Sequence, residues 1–262
     1  MLDVRPASSL PLDRLTALFN AGYEGYVIPF RLDEAALRSM ITVFDIDRDA
    51  SRVAFAEGEP VGFANLALRG DQAWVGGVGV VTKARQQGIG EALMHALHVE
   101  ATARGVTDVW LEVIEQNDAA FRLYDKLGYE VVREVEVWSL PAAPPGGSAE
   151  EVDAQRAQAR VRELRRSREP WQRADATLAH YDDLRGLETD GGAAVFRVAG
   201  NVQLQQIAGD DPEERLRALR GHGDVTVLNL PADDATAAAL RVLGAAVRVR
   251  QREMVLKIQP RG

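Results

Sequence analysis

One stretch of the chain, Val78–Leu93, combines three kinds of local structure in succession. It begins with apolar residues typical of a buried strand and then enters a polar loop that contains Gly88 and Gly90. Beyond the loop, apolar residues recur at helical spacing until Gly105, a residue suited to the left-handed conformation that ends many helices. The pattern predicts a strand, a tight glycine loop and a helix, in that order.

Such a junction has the chemistry of an anion site. The first N–H groups of a helix have no intrahelical partner, and the helix dipole is positive there. Gly88 and Gly90 would let a phosphate approach the backbone, and Arg85 would add a positive charge. The alternative is a tight strand-to-helix turn that binds nothing. The loop lacks the glycine patterns of nucleoside triphosphatases and of dinucleotide-binding domains, which argues against both classes.

Composition narrows the functional classes further. The 262 residues carry a net charge of −8, which argues against nucleic-acid binding by the chain as a whole. The absence of cysteine excludes disulfides, cysteine-based zinc sites and a cysteine nucleophile. Four scattered histidines predict no metal centre, although His95 and His98 lie one turn apart. Neither a signal peptide nor a long apolar segment is present, so we expect a soluble, cytoplasmic protein without membrane contact.

The first half of the chain alternates helical and strand patterns. Helices are predicted before and after an aromatic, glycine-broken segment, Tyr23–Phe30, and a strand meander leads into the glycine loop. After Gly105 the pattern gives a strand, a helix that begins at Asn117, and one or two final strands. This order predicts an α/β domain with a mixed sheet over residues 1–140.

The second half is predicted to contain a linker at 141–149, a helical connector at 150–190 and a smaller domain at 191–262. Val227–Leu256 aligns without gaps on Leu111–Leu140, which identifies a degenerate repeat. In the same alignment Asp233 falls on Asn117, Leu204 on Gly88 and Leu240 on Tyr124. The repeat keeps the apolar and capping positions but lacks the glycine and tyrosine of the first half that would bind a ligand or act in catalysis. We therefore expect a structural role for it.

The connector is rich in arginine. Six arginines lie within residues 150–168. They favour either a basic contact patch, as in a nucleic-acid-binding module, or a solvated helix between two halves, because acidic residues interleave with them.

The motifs of the first half together resemble the GNAT superfamily, the acyl-CoA-dependent N-acyltransferases. The resemblance is carried by Val78-Gly79-Val80, Arg85–Gly90, Leu111-Glu112-Val113, Asn117 and Leu123–Glu130. It implies a GNAT fold in which two parallel strands splay apart at the coenzyme A site, with a smaller degenerate GNAT-like domain after it. The arrangement of one intact domain followed by a degenerate repeat also resembles tandem GNAT proteins.

The resemblance implies acetyl-CoA as co-substrate and places its pyrophosphate on the amides of Gln86–Glu91. The pantetheine arm would pair with the backbone of Val78 and Val80, and Tyr124 would act as the general acid. The implied cofactor-binding residues are Val78, Gly79, Val80, Arg85, Gln86, Gln87, Gly88, Ile89, Gly90, Glu91, Asn117 and Tyr124. Tyr124 also fits a simpler role as a packed helix aromatic.

The general base is not evident from the sequence. Glu112 alternates away from the packed residues of its strand, and Glu24 lies in the aromatic segment that should border the acceptor. Either carboxylate could act through water, or serve only in binding. Tyr23, Glu24 and Tyr26 form the predicted acceptor site, whose acidic and aromatic character favours a small cationic amine.

The predicted function is an N-acetyltransferase acting on a primary amine of a small molecule. The alternative is a non-catalytic acyl-CoA-binding or sensing protein. We expect one coenzyme A per chain, and either a monomer with an internal pseudo-dimer or a homodimer. A chain ending near Ala143 should be poorly soluble or self-associating, because an apolar face would be uncovered.

Overall fold

The computed structural model describes residues 2–26, 28 and 31–258, so Val27, Pro29 and Phe30 of the aromatic segment lie outside it. The chain divides into two compact units. The first contains the residues up to Val132 together with those from Glu253 onward, and the second spans Arg133–Arg252. The C-terminal residues therefore belong to the first unit, although almost half of the chain separates them from the rest of it.

The first unit contains a mixed sheet, as the sequence predicted. Its strands lie in the order β1-β2-β3-β4-β5, followed by the C-terminal part of β12. Strands β1 to β4 are antiparallel, whereas β4 and β5 run parallel. The strands are β1 (Leu2–Pro6), β2 (Ile46–Ala56), β3 (Glu59–Arg69), β4 (Gln72–Val80), β5 (Asp108–Ile114) and β12 (Ala246–Lys257).

Helices cover both faces of this sheet. One face packs on α3, whose buried side chains include Leu93, Leu97 and Ala101 at the predicted helical spacing. The other face packs on α1 and α2 through Phe19 and Leu37. The helices are α1 (Leu12–Gly22), α2 (Glu34–Val43), α3 (Ile89–Ala103) and α4 (Asp118–Lys126).

The helix ends predicted at Asn117 and Gly105 are confirmed, and Asp33 caps a further helix. The Asp33 carboxylate accepts a hydrogen bond from the N–H of Ala36, and the Asn117 side chain accepts one from that of Ala120. Gly105 has a φ of +74° directly after α3. These polar ends leave the apolar stripes of the helices free to pack on the sheet.

The second unit contains parts of β6 and β12 and the elements that lie between them in the chain. Its strands lie in the order β6-β11-β10-β9-β8-β7, and β10 and β11 form its parallel pair. The strands are β6 (Glu130–Leu140), β7 (Glu150–Val152), β8 (Arg185–Thr189), β9 (Gly192–Ala199), β10 (Asn201–Gly209) and β11 (Val225–Pro231). The helices are α5 (Ala154–Leu164), α6 (Asp175–Leu178), α7 (Pro212–Leu219) and α8 (Ala235–Val242).

The repeat is present in the element order, because β11, α8 and β12 follow one another as β5, α4 and β6 do. Two details of the gapless alignment are wrong. The residue that caps α8 is Asp234, which accepts from the N–H of Thr236, and not Asp233. Leu204 lies inside β10 and not at a helix start, because α7 is seven residues shorter than α3 and begins only at Pro212.

No helix in the described part of the chain is both long and apolar enough to span a membrane.

The last strand completes the core of the first unit. Met254 is fully buried and belongs to the same apolar cluster as Val109, Leu111 and Tyr129. The N–H of Ile258 donates to the carbonyl oxygen of Thr107 at 2.7 Å. The poor solubility of a chain ending near Ala143 stays a prediction, to which these contacts add a second reason: the first unit would lose a strand.

We expect Met254→Ala to lower the free energy of unfolding by about 2–5 kcal/mol, since it removes a buried side chain and leaves a cavity. Val242→Ala is the control, because Val242 is 71% exposed and its truncation should change stability by no more than about 0.5 kcal/mol. Urea unfolding of both variants measures the difference. Equal effects would contradict the structural role of the C-terminal residues.

Candidate active site

Strands β4 and β5 part from each other soon after they begin. Their parallel pairing joins Gln72 to Asp108, Ala73 to Val109 and Trp74 to Trp110, and the described residues show no pair beyond that point. Both strands nevertheless continue, to Val80 and Ile114. The facing edges beyond Trp74 therefore carry backbone groups that the partner strand does not satisfy, and such groups are available to a ligand.

A close contact between Gly77 and Tyr23 fixes the position of β4 where it parts from β5. Gly77 lies in β4 with a φ of +132°, and a Cβ atom placed on it would come within 2.6 Å of the Tyr23 hydroxyl oxygen. Only glycine accepts both the dihedral angle and the contact. Strand β4 is thereby held against the residues that follow α1.

The loop after β4 presents the start of α3 to the same opening. Gln86 and Gly88 both have positive φ, +62° and +75°. Gly88 is the N-cap of α3 and offers no side chain to the first amides, while the space around its missing Cβ is open. These amides and the positive end of the helix dipole are the features of an anion site.

A cavity of about 520 Å³ lies between these elements, entirely within the first unit. It brings together every residue of the predicted cofactor set except Gln87. The side-chain Nε2 of Gln87 instead donates a hydrogen bond to the carbonyl oxygen of Lys83 at 3.4 Å. The lining also contains residues that the sequence patterns did not single out, and among these Gln116, Ala119 and Ala120 come from the start of α4 and the turn before it. Their position directly around the Asn117 cap is the signal that could have identified them.

Three tyrosine side chains meet at this cavity. Burial, followed by the nearby Tyr26, raises the pKa of Tyr124 well above its usual range, and burial does the same for Tyr23. Burial also raises the pKa of Tyr26, and a hydrogen bond with the Asn117 side chain partly offsets that rise. All three phenols therefore stay protonated at neutral pH and can donate hydrogen bonds into the cavity.

The two candidate bases lie apart. Glu112 is on the sheet face opposite to the buried Leu111 and Val113, as its alternation predicted, and its Oε2 accepts from the Trp74 indole N–H at 2.8 Å. It does not line the cavity.

Glu24 lines a second cavity of about 680 Å³, next to the first. Tyr23 and Tyr26 line both cavities, and Arg31 adds a positive charge to the second. The predicted acceptor residues Tyr23, Glu24 and Tyr26 are thus together, and two of them separate one cavity from the other.

An acidic side chain also lines the anion-binding end of the first cavity. Both carboxylate oxygens of Glu91 contact Lys126 Nζ, at 2.7 and 2.8 Å. Lys126 lowers the pKa of Glu91 and neutralises its charge. An anion near the first turn of α3 would therefore not meet an isolated negative charge.

The described residues contain no group of three side chains suited to hold a metal ion. His95 and His98, one turn apart in the sequence, make different contacts. His98 Nε2 lies 3.0 Å from the Tyr129 hydroxyl, whereas His95 is exposed and lies near Glu91.

The profile of the acetyltransferase (GNAT) family matches residues 14–129, which include the parting strands, the glycine loop and α4. Residues 14–129 therefore match the GNAT family, and we call this stretch the GNAT domain.

The similarity to known proteins covers the GNAT domain in sequence and both units in fold. The [ribosomal protein bS18]-alanine N-acetyltransferase of Escherichia coli strain K12 is 38% identical over 72 residues, which are 28% of this chain and 49% of that protein. The chain thus spans about half the length of this curated relative.

Two solved structures share the fold over nearly the whole chain. The GCN5-related N-acetyltransferase from Sphaerobacter thermophilus has a TM-score of 0.74 at 18% identity and covers 99% of this chain and 96% of its own. A tandem GNAT protein from the clavulanic acid biosynthesis pathway has a TM-score of 0.64 at 16% identity and covers both chains completely. The tandem arrangement expected from the sequence is confirmed at the level of the fold.

The second unit repeats the parting strands of the GNAT domain but fills the gap from its own chain. The pairing of β10 with β11 also ends after three residue pairs, at Leu204 and Val227. Arg173 Nε donates to the Gln205 carbonyl at 2.7 Å, and Gln206 Nε2 donates to the Arg173 carbonyl at 2.7 Å. Arg173 is buried in a short turn, residues 171–173, that also contacts β11.

The helix that follows β10 lacks the anion-binding features as well. Pro212 opens α7 without an N–H group, after Asp210 and Asp211 and before Glu213 and Glu214. These acidic side chains would repel a phosphate at that position. Within the described residues, an open helix start beside parting strands occurs in the GNAT domain and not in the second unit.

A pH effect follows from His98 in the GNAT domain. Burial, followed by the nearby His95, lowers its pKa from 6.5 to about 4. The unfolded chain then binds the proton more tightly than the native one, so stability is complete above about pH 6.5 and falls toward pH 4. The expected loss between pH 7 and pH 4.5 from this group is about 2–3 kcal/mol.

Chemical unfolding of the protein and of His98→Gln at these two pH values measures that loss, which the variant should lack. His95→Gln is the control and should retain the pH dependence of the natural chain, since His95 is exposed. An equal pH dependence in all three proteins would show that His98 is not the group responsible.

Proposed function

We propose that the GNAT domain transfers the acetyl group of acetyl-CoA to a primary amine, by direct attack in a ternary complex. One observation carries the proposal: β4 and β5 part after Trp74 and Trp110, beside a helix start whose amides are uncapped. The cavity formed there has backbone donors for a pyrophosphate at one end and a buried phenol, Tyr124, in its wall. Acyl transfer from a thioester is accelerated by anchoring of the acyl donor and by a proton supplied to the leaving thiolate.

The residues divide the binding of coenzyme A between them. The amides of Gln86–Glu91 would hold the pyrophosphate, and the unpaired edge of β4 at Val78 and Val80 would hydrogen bond to the pantetheine amides. Asn117 would contact the same arm while its oxygen caps α4. Acetyl-CoA supplies an activated thioester carbonyl when bound.

Tyr124 would serve the leaving group. As the amine nitrogen bonds to the thioester carbonyl carbon and the bond from carbon to sulfur breaks, negative charge grows on sulfur. The Tyr124 phenol would donate its proton to that sulfur, and the proton lost by the amine would pass to Glu112 or Glu24 through water. No covalent enzyme intermediate is needed, in keeping with a chain that has no cysteine.

The acceptor would enter by the second cavity. Tyr23 and Tyr26 line both cavities, so they would contact the acceptor close to the thioester, and Glu24 would attract a cationic amine. We propose a small-molecule amine on this ground. The relative from Escherichia coli is named for a ribosomal protein substrate, so a protein N-terminus belongs in the test.

A non-catalytic acyl-CoA-binding protein is the alternative. A panel of primary amines and peptide N-termini, assayed for coenzyme A release and product mass, separates the two. An acetylated product supports transfer. Tight binding of acetyl-CoA with slow hydrolysis, unchanged by every amine, would support the alternative.

The basic contact patch receives less support. Within the connector, Arg162 and Arg165 both bind Asp175, Arg156 binds Glu188, and Arg160 binds Glu163. Arginines whose charge is already balanced in this way contribute little to binding of a phosphate backbone.

Gly88→Glu should abolish coenzyme A binding, because it fills the proposed phosphate site and adds a like charge. Gly58→Glu is a matched control: Gly58 also has positive φ, +83°, with open space around it, but it lies in the turn between β2 and β3. Both variants should lose similar stability. The rise in melting temperature caused by coenzyme A measures binding. A rise that survives in Gly88→Glu would contradict the proposed phosphate site.

Tyr124→Phe should lower kcat by about 100-fold, the low end of the range for a general acid, because thiolates are already good leaving groups. Coenzyme A affinity should change little, since the ring remains. Tyr129→Phe is the control: it removes a hydroxyl bonded to His98, outside the cavity, and should keep kcat. Kinetics with an amine found in the panel decide, and a normal kcat in Tyr124→Phe would show that Tyr124 is only a packed aromatic.

A further inference from the structure

The Arg85 side chain connects the two loops that border the active-site cavity. Its Nε donates to the carbonyl oxygen of Val80 at 3.0 Å. Its Nη2 donates to the carbonyl oxygens of Gly22, at 3.1 Å, and Glu24, at 2.7 Å. One guanidinium group thus joins the end of β4, the end of α1 and the segment that carries the proposed acceptor residues.

The carbonyl groups of Gly22 and Glu24 lie at a helix end, where carbonyls lack intrahelical partners. Gly22 is the last residue of α1, and Glu24 lies just beyond it. Carbonyls in this position need donors from elsewhere, and a cation near a helix C-terminus is favoured by the dipole. Among the described residues, the segment also has backbone bonds from the N–H groups of Tyr23, Glu24 and Tyr26 to carbonyls three or four residues earlier. The Tyr26 side chain hydrogen bonds to that of Asn117 as well. Arg85 adds the bonds that tie the backbone of this segment to the loop after β4.

We propose that Arg85 is a positioning residue that couples coenzyme A binding to the order of the acceptor segment, residues 22–26. This deepens the proposed function and rests on it. The guanidinium uses Nε and Nη2 for the backbone carbonyls, while Nη1 makes no hydrogen bond to any residue of the described chain. Because Arg85 also lines the cavity, an anionic group bound there can take up this third nitrogen.

The coupling follows from the geometry of a single rigid group. An anion that fixes one nitrogen of the planar guanidinium restricts the other two, and so restricts the carbonyls that they hold. Bound ligand would also cover the side chain from water, which strengthens its remaining hydrogen bonds. By reciprocity, an acceptor that orders residues 22–26 should tighten coenzyme A binding by the same factor.

Lysine cannot replace this arrangement. An ammonium group is a point charge without the planar fork, so it cannot hold carbonyls of β4 and α1 and an anion together. Arg85→Lys therefore keeps the charge and removes the bridge, whereas Arg85→Gln removes both. Lys83→Gln is the matched control, because it removes a charge from an exposed position of the same loop.

Amide hydrogen exchange of residues 20–26, with and without coenzyme A, tests the proposal. In the natural chain coenzyme A should slow the exchange of the Tyr23, Glu24 and Tyr26 amides. In Arg85→Gln and Arg85→Lys these amides should exchange at least about 10-fold faster without ligand, as expected for lost charge-assisted hydrogen bonds. Coenzyme A should no longer slow them, although calorimetry should still detect its binding to Arg85→Lys.

Lys83→Gln should behave as the natural chain does. Amides of β3 serve as an internal reference, so that global destabilisation of a variant is recognised. Unchanged exchange of residues 22–26 in Arg85→Lys, or slowing by coenzyme A that persists in it, would overturn the proposal. If the natural chain binds no coenzyme A, the proposed function and the coupling both fail, while the comparison without ligand still decides whether Arg85 holds the segment.

Discussion

The parting of two parallel strands determines most of what surrounds it in the GNAT domain. Backbone groups of β4 and β5 that would otherwise pair are left facing an opening, and buried backbone groups without partners cost free energy. The fold tolerates the opening because it is lined by groups that a polar ligand can satisfy: the edge of β4, the first amides of α3, and the phenols of Tyr124 and Tyr26. Gly77 and Gly88 supply the backbone angles that this arrangement needs.

The second unit meets the same constraint in a different way. Its parallel strands also part after three residue pairs, and there the chain itself provides the partners. Arg173 donates to the Gln205 carbonyl, and the Gln206 side chain bridges the Arg173 carbonyl and Asp175. In the first unit a ligand would hydrogen bond to the backbone groups of the parted strands, whereas in the second unit a buried side chain does so. The second unit can therefore keep the apolar core of the fold although it lacks the glycine and tyrosine residues of the first cavity.

The tyrosines add a constraint on chemistry. Burial raises the pKa of Tyr124, so the phenol is a weak acid that stays protonated and remains a hydrogen-bond donor. The same burial would raise the basicity of a thiolate formed beside it. We propose that the proton passes to sulfur as the bond between carbon and sulfur breaks.

Local sequence patterns predicted much of this, and they failed where distant parts of the chain meet. The glycine loop, the Asn117 cap and the alternation of Glu112 follow from residue spacing alone. The return of residues 253–257 to the first unit could not be predicted, because an apolar strand does not reveal which strand it joins. Leu204 was misplaced because a gapless alignment cannot detect that α7 is shorter than α3. The contacts of Arg85 with Gly22 and Glu24 link residues more than 60 positions apart, and no periodicity reports such a contact.

We propose that the open gap of the first unit holds coenzyme A and that the filled gap of the second does not. Isothermal titration calorimetry of the full chain with coenzyme A measures this directly as a stoichiometry. We expect one site per chain. Two sites, or none, would contradict the claim.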